Sequence, residues 1–264
     1  MKFRKWFENR VSVVGEMHAQ LLLEDDIELL HQYRVNLRRL YACSEIYSKE
    51  IDKNSSIKLS KLIKKLLKST AMLRDIDLFL IDIESLGCCN LTKDKLSSVL
   101  KLKRENSFKI YMQTINSDEY KSNLELLMMM TKESEFFVYK TDNLDKYKII
   151  SDVQRSRYEE LSYVDMQTPS HELHNLRKEF KKFRYALDIY EHCFLDNREM
   201  DFDFKKLKRL QDFFGEIQDN YVRVDIIKSI KEELPEGDFL ELQDQYELKL
   251  FASKRALFEN FDIL

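Results

Sequence analysis

Apolar residues recur at steps of three and four along nearly the whole chain, the period of amphipathic helices. The pattern predicts a helix over Leu21–Lys49, weakened near Asp25–Asp26, and a second over Ser56–Leu86 with Gly87 as its C-cap. Helices over Thr92–Ile115 and Glu119–Tyr139 follow, the latter carrying a Met128–Met130 run read as core filler. Leu144–Leu161 leads to Thr168–Pro169, where Thr suits an N-cap and Pro a first helical residue. His171–Phe194, Phe204–Glu233 and Phe239–Phe261 complete the set, with Pro235 and Gly237 marking the last turn. The fold class is all-α.

Composition agrees with that pattern. Four Gly and two Pro in 264 residues are too few for the turns of a β-sandwich or a Gly-rich nucleotide fold. Cys43, Cys88, Cys89 and Cys193 show no CxxC spacing, and a vicinal pair makes a poor structural disulfide, so all four are read as reduced, inert thiols. The basic N-terminus has only the short apolar run Val11–Val14, shorter than a signal-peptide core. No stretch approaches the ~20 apolar residues of a membrane span. The expectation is a cytoplasmic protein with no membrane partner.

The chain repeats itself. His31, Arg34, Arg38 and Arg39 correspond to His174, Arg177, Lys181 and Lys182, each 143 positions on. Lys61–Leu66 corresponds to Lys205–Leu210 at 144, and Arg74–Asp75 falls opposite Gln218–Asp219 at the same offset. Two ordered blocks at nearly one offset indicate duplication. One repeat is expected over about residues 15–139 and the other over about 145–264, as two similar helical bundles in one unit. Each leading set is spaced i, i+3, i+7 and so forms one stripe on its helix. Arg184 extends the second stripe where Tyr41 stands in the first.

Charge sharpens the picture. The net value of −3 is an average over unlike parts. Windows at 31–41, 58–74, 174–185 and 205–211 hold eighteen basic residues and a single acid, Glu179. The rest of the chain holds 26 basic and 46 acidic residues. Solvated helix faces usually interleave acids at i+4, and these windows do not. Rows of Lys and Arg spaced by about a helical turn of 5.4 Å suit a repeating phosphate chain. Arg adds forked contacts to phosphate oxygens and Lys adds point charge. Lys61, Lys64, Lys65 and Lys68 line one face, as do Lys205, Lys208 and Arg209.

The pattern H-x-x-R-V-x-x-R-R-L, then R-D-x-D, resembles the CHAD domain, the conserved-histidine α-helical domain. It stands here as His31, Arg34, Val35, Arg38, Arg39 and Leu40, then Arg74, Asp75 and Asp77. The second copy reads His174, Arg177, Lys178, Lys181, Lys182, Arg184 and Tyr185, then Gly215 and Asp219. The resemblance implies a pair of four-helix bundles with a basic channel or groove binding inorganic polyphosphate, association with polyphosphate granules and their proteins, and a separate triphosphatase domain as a frequent companion. Its site would comprise the histidines, arginines and lysines named for both copies, with no cofactor and no metal. The chain departs from the family at Tyr41, where another basic residue is frequent, and at Gln218, which replaces the Arg of the first R-D pair.

The remaining residues have plainer readings. Asp75, Asp77 and Asp219 are expected to pair with motif arginines or cap helices rather than hold metal. Arg104 and Lys254 are candidates for a third basic row, or ordinary surface charges. His31 and His174 are expected to donate a hydrogen bond or orient neighbours; His171-x-x-His174 lacks the H-E-x-x-H pattern. Tyr33, Tyr41, Phe183 and Tyr185 alternate with basic residues, at a spacing more typical of packing than of base stacking. The leading expectation is a non-catalytic polyphosphate binder. A metal- or His-dependent polyphosphate phosphohydrolase and a nucleic-acid binder are the alternatives.

Overall fold

The computed structural model describes residues 2–133, 135–138, 143–195 and 202–260. Among them the chain is helical: α1 (Lys2–Leu21), α2 (Ile27–Ile46), α3 (Lys53–Lys68), α4 (Ala71–Asp82), α5 (Asn90–Asn116), α6 (Asp118–Met130), α7 (Asn143–Ser162), α8 (Ser170–Cys193), α9 (Phe204–Ser229) and α10 (Glu236–Glu259). The one β feature described is an isolated antiparallel bridge between Ile51 and Phe137. No described helix is long and apolar enough to cross a membrane.

Local chemistry explains the helix boundaries and corrects several expectations. The weak point at Asp25–Asp26 is a true break: the Asp26 carboxylate accepts from the amides of Glu28 (2.7 Å) and Leu29 (3.0 Å) and starts α2. The expected single helix over Ser56–Leu86 is two. At the break Ser69 Oγ donates to the Leu66 carbonyl (3.1 Å) and Thr70 Oγ1 to that of Leu67 (2.8 Å), side-chain bonds that compete with the helical ladder. Gly87 is not the C-cap, because α4 ends at Asp82 and a 3-10 turn, Ile83–Ser85, follows it. Thr168 does not cap α8 either. Its hydroxyl accepts from the Asp165 amide (2.9 Å) and closes the preceding turn, while the Pro169 carbonyl takes the first helical bond, from Leu173 (3.2 Å). The helix expected up to Tyr139 stops at Met130; Tyr139, Phe261 and residues 139–142 of the expected repeat seam lie outside the described residues.

The expected helices began at Leu21 and did not include α1. It buries Phe3, Phe7, Val11, Val14, His18 and Leu21 along one face. In the methionine run, Met130 is buried while Met129 is 65% exposed, so only part of it fills the core.

The helices form two compact units that interleave along the chain. The first comprises Met1–Arg74, Ser107–Ser156 and Lys182–Glu199; the second comprises Asp75–Asn106, Arg157–Lys181 and Met200–Leu264. In the first, α1 packs on α2 and α6, and α3 packs on both α2 and α6. The Tyr33 and Tyr120 hydroxyls share a hydrogen bond of 2.7 Å there, and the His18 ring stacks on Tyr120. In the second, α9 packs along α10, and Ile76, Phe79, Leu96, Leu100, Ile227, Leu242 and Tyr246 belong to one core.

Candidate functional site

In the first unit, α3 is divided by its own periodicity. Leu59, Leu62, Ile63 and Leu66 are buried, and Lys61, Lys64, Lys65 and Lys68 are exposed on the other side. Lys61 and Lys68 make no ion pair among the described residues. Lys65 reaches Glu119 at 3.5 Å, but both side chains are largely exposed, so the pair is worth about 0–1 kcal/mol and leaves the lysine available. Lys64 lies 5.1 Å from the Tyr41 ring centre, and its bond to the Tyr41 hydroxyl holds its ammonium above the ordinary lysine range.

Neighbouring α2 contributes differently. Arg34 is buried; its guanidinium donates to the Leu67 carbonyl (3.3 Å) and to the Thr70 hydroxyl. It thus ties α2 to the α3–α4 break. Arg38 and Arg39 are half-buried, as are His31 and, on α4, Arg74. Arg39 lies 4.0 Å from Asp188 and 5.9 Å from the Tyr185 ring centre. Burial pushes the Asp188 carboxyl up even though Arg184 and Arg39 pull it down, which marks the long Arg39–Asp188 pair as weak. Lys182 bonds Glu45 at 3.1 Å and stands 5.8 Å from the Tyr41 ring centre. Tyr41, which departs from the family pattern, therefore keeps two cations beside it, with cation–π attraction of about 0.5–2 kcal/mol each. Arg184 is exposed one turn before Asp188 on the same helix.

The second unit carries its own row. Lys205, Lys208 and Arg209 are exposed on the first turns of α9, and Lys178 is exposed on α8. None of these four makes an ion pair among the described residues. His174, Arg177 and Lys181 are half-buried on α8. The His174 ring Nδ1 bonds the Gln218 side-chain oxygen on α9, so the residue that stands where the first copy has Arg74 holds the second histidine in place. Glu179, the lone acid of the basic windows, faces Arg157 at 3.2 Å.

Several acids and cations stand elsewhere than expected. The windows are acid-poor in sequence, yet packing brings Glu45, Glu119 and Asp188 to Lys182, Lys65 and Arg39. Asp77 is fully buried and pairs with Arg104, at 2.6 Å. Arg104 is thereby an internal tether rather than part of a third row. Lys254 is another, donating to the Thr168 carbonyl at 2.9 Å, and burial lowers its ammonium below the usual range. Tyr33 and Phe183 are core residues, as their spacing indicated. The four cysteines are free thiols; Cys89 alone is exposed.

Two helical units, each with exposed lysines on its helices, define an all-α protein. The CHAD domain family matches residues 13–228, and the chain belongs to that family. PptA from Streptomyces chartreusis has a similar structure, with a TM-score of 0.76, 11% identity, and coverage of 99% of this chain and 98% of that one. The crystal structure of the CHAD domain from the plant Ricinus communis gives a TM-score of 0.73 at 15% identity, covering 97% of this chain and 91% of that one. At these identities the likeness concerns the fold. No curated protein matches the sequence.

Proposed function

We propose that this CHAD chain binds inorganic polyphosphate through its exposed lysine and arginine rows, without turning it over. The observation that carries the reading is the set Lys61, Lys68, Lys178, Lys205, Lys208 and Arg209. These are exposed cations on helices with no ion pair among the described residues, in a chain whose net charge is −3. Like charges at i, i+3 and i+4 cost a helix stability, and an anionic ligand would remove that cost. Each unit offers one row, and each row can engage a stretch of a long polyanion. The capture is electrostatic: phosphates displace small counterions, so affinity should fall steeply as salt rises. The histidines act as orienters in this reading, which the His174–Gln218 bond supports. A cytoplasmic place beside polyphosphate granules, with granule proteins as further partners, follows from the same proposal.

The test is a titration of the chain with long-chain polyphosphate across a salt series, with pyrophosphate and single-stranded RNA as competitors. Tight, length-dependent binding that RNA does not displace is expected. Displacement by RNA at equal phosphate would favour the nucleic-acid reading. Phosphate release in magnesium or manganese would favour the hydrolase.

A further inference from the structure

We propose that the outward face of α10 joins two copies of this chain, antiparallel, about a two-fold axis. The helix buries Phe239, Leu242, Tyr246, Ser253 and Leu257 against its own unit. At steps of four, four, three and four, Leu240, Asp244, Leu248, Phe251 and Arg255 form one stripe on the opposite side. The three apolar members of that stripe are 50%, 69% and 57% exposed. Single exposed apolar side chains are ordinary, but three aligned on one helix, pointing straight away from the core, form a surface suited to a partner.

The order of residues along the stripe selects a second copy as that partner. Two α10 helices laid antiparallel can be set so that Leu248 of each meets Phe251 of the other. The same register places Asp244 of each copy opposite Arg255 of the other. Both contacts occur twice, which is the self-complementarity a two-fold interface requires. On the outward stripe the acid, Asp244, precedes the apolar pair and the base, Arg255, follows it, so an antiparallel partner meets opposite charge and a parallel one meets like charge. Arg255 now bonds Glu259 at 3.2 Å, an exposed pair easily exchanged for Asp244 of a second copy.

Sedimentation equilibrium on the whole chain, over a hundredfold concentration range, tests the proposal. The expected result is a concentration-dependent rise to twice the chain mass. Leu248→Glu with Phe251→Glu should leave only the single-chain mass, with helical circular dichroism unchanged because both residues are exposed. Asp244→Arg alone should weaken association at least tenfold, and Asp244→Arg combined with Arg255→Asp should restore it. A wild-type chain that stays at single mass throughout overturns the proposal. So does association that survives the double glutamate variant, since another face would then join the copies. Failure of the charge swap to restore association overturns the antiparallel register.

Discussion

The two sequence copies reach different structures from the same spacing, and the contrast is clearest where α2 meets α3–α4 and where α8 meets α9. In the first copy the helix breaks at Ser69–Thr70, and Arg34 is buried against the Leu67 carbonyl and Thr70 hydroxyl exposed by the break. In the second, α9 runs unbroken for 26 residues with Phe213–Phe214 where the break would fall. Arg177, the counterpart of Arg34, is only half-buried. Instead, Gln211 of α9 donates to the Phe180 carbonyl (3.1 Å), and Gln218 holds His174. The comparison teaches that position in a basic stripe does not fix a residue's work. One arginine of a matched pair has become part of the core, while the lysines around it stay in solvent.

The largest effect should come from attacking that buried arginine. Arg34→Met should cost about 2–3 kcal/mol of stability, read as a lower urea midpoint at unchanged slope, because buried acceptors lose a charged donor. Lys178→Met on α8 should change stability by no more than about 0.5 kcal/mol, as expected for an exposed site. A similar loss in both variants would erase the distinction between the buried arginine and a solvated lysine.

Next in size is the break between α3 and α4. Ser69→Ala with Thr70→Val removes both hydroxyls that turn back on the helix and one acceptor of Arg34. A loss of about 1–2 kcal/mol is expected, again by urea denaturation. Should the variant match the wild type, the break would owe its geometry to packing alone.

The buried histidine of the first unit gives a finer probe. His18 is buried on Tyr120, and burial, reinforced by Lys121, lowers its pKa from 6.5. A depressed histidine binds its proton more tightly when unfolded, so stability should be constant above pH 6.5 and fall as pH drops from 6.5 through its lower folded value. His18→Gln should flatten that slope in denaturation curves taken from pH 7.5 to 5. A slope that persists unchanged would assign it to other groups.

The smallest expected effect brings the second copy into line with the first. Gln218→Arg adds to the second copy the cation that Arg74 supplies in the first, and should steepen the salt dependence of polyphosphate binding by about 0.7 in log–log slope. No change in slope would mean that position 218 does not meet the ligand.

The all-α class was legible because 3.6-residue periodicity and scarce Gly and Pro constrain it directly. The break at Asp25–Asp26 was legible too, since paired aspartates suit a cap. The break at Ser69–Thr70 was not, because its cause is two hydroxyls bonding backward, and Ser and Thr occur inside many helices. Helix α1 was missed because its only apolar run, Val11–Val14, is short; the spacing of Phe3, Phe7, Val11 and Val14 was the available signal. At the site, the lysine face of α3 could be read from i, i+3, i+4 spacing alone. That spacing does not say whether a stripe faces water, so Arg34 looked like Arg38. The pairing of Lys182 with Glu45 joins residues 137 positions apart, and Asp77 with Arg104 joins separate helices. Such pairs are made by tertiary packing, which local patterns do not encode. Tyr41 was visible only as a departure, and its place between Lys64 and Lys182 gives that departure a physical meaning.

The central claim is that exposed, unpaired lysines hold the polyanion. Lys61, Lys68, Lys205 and Lys208 changed together to Gln test it most directly, by polyphosphate titration across a salt series beside the wild type. The account predicts unchanged helical content and urea midpoint, affinity lowered at least a hundredfold at moderate salt, and a log–log salt slope shallower by about 2.8. Wild-type affinity and slope in a folded quadruple variant would contradict it.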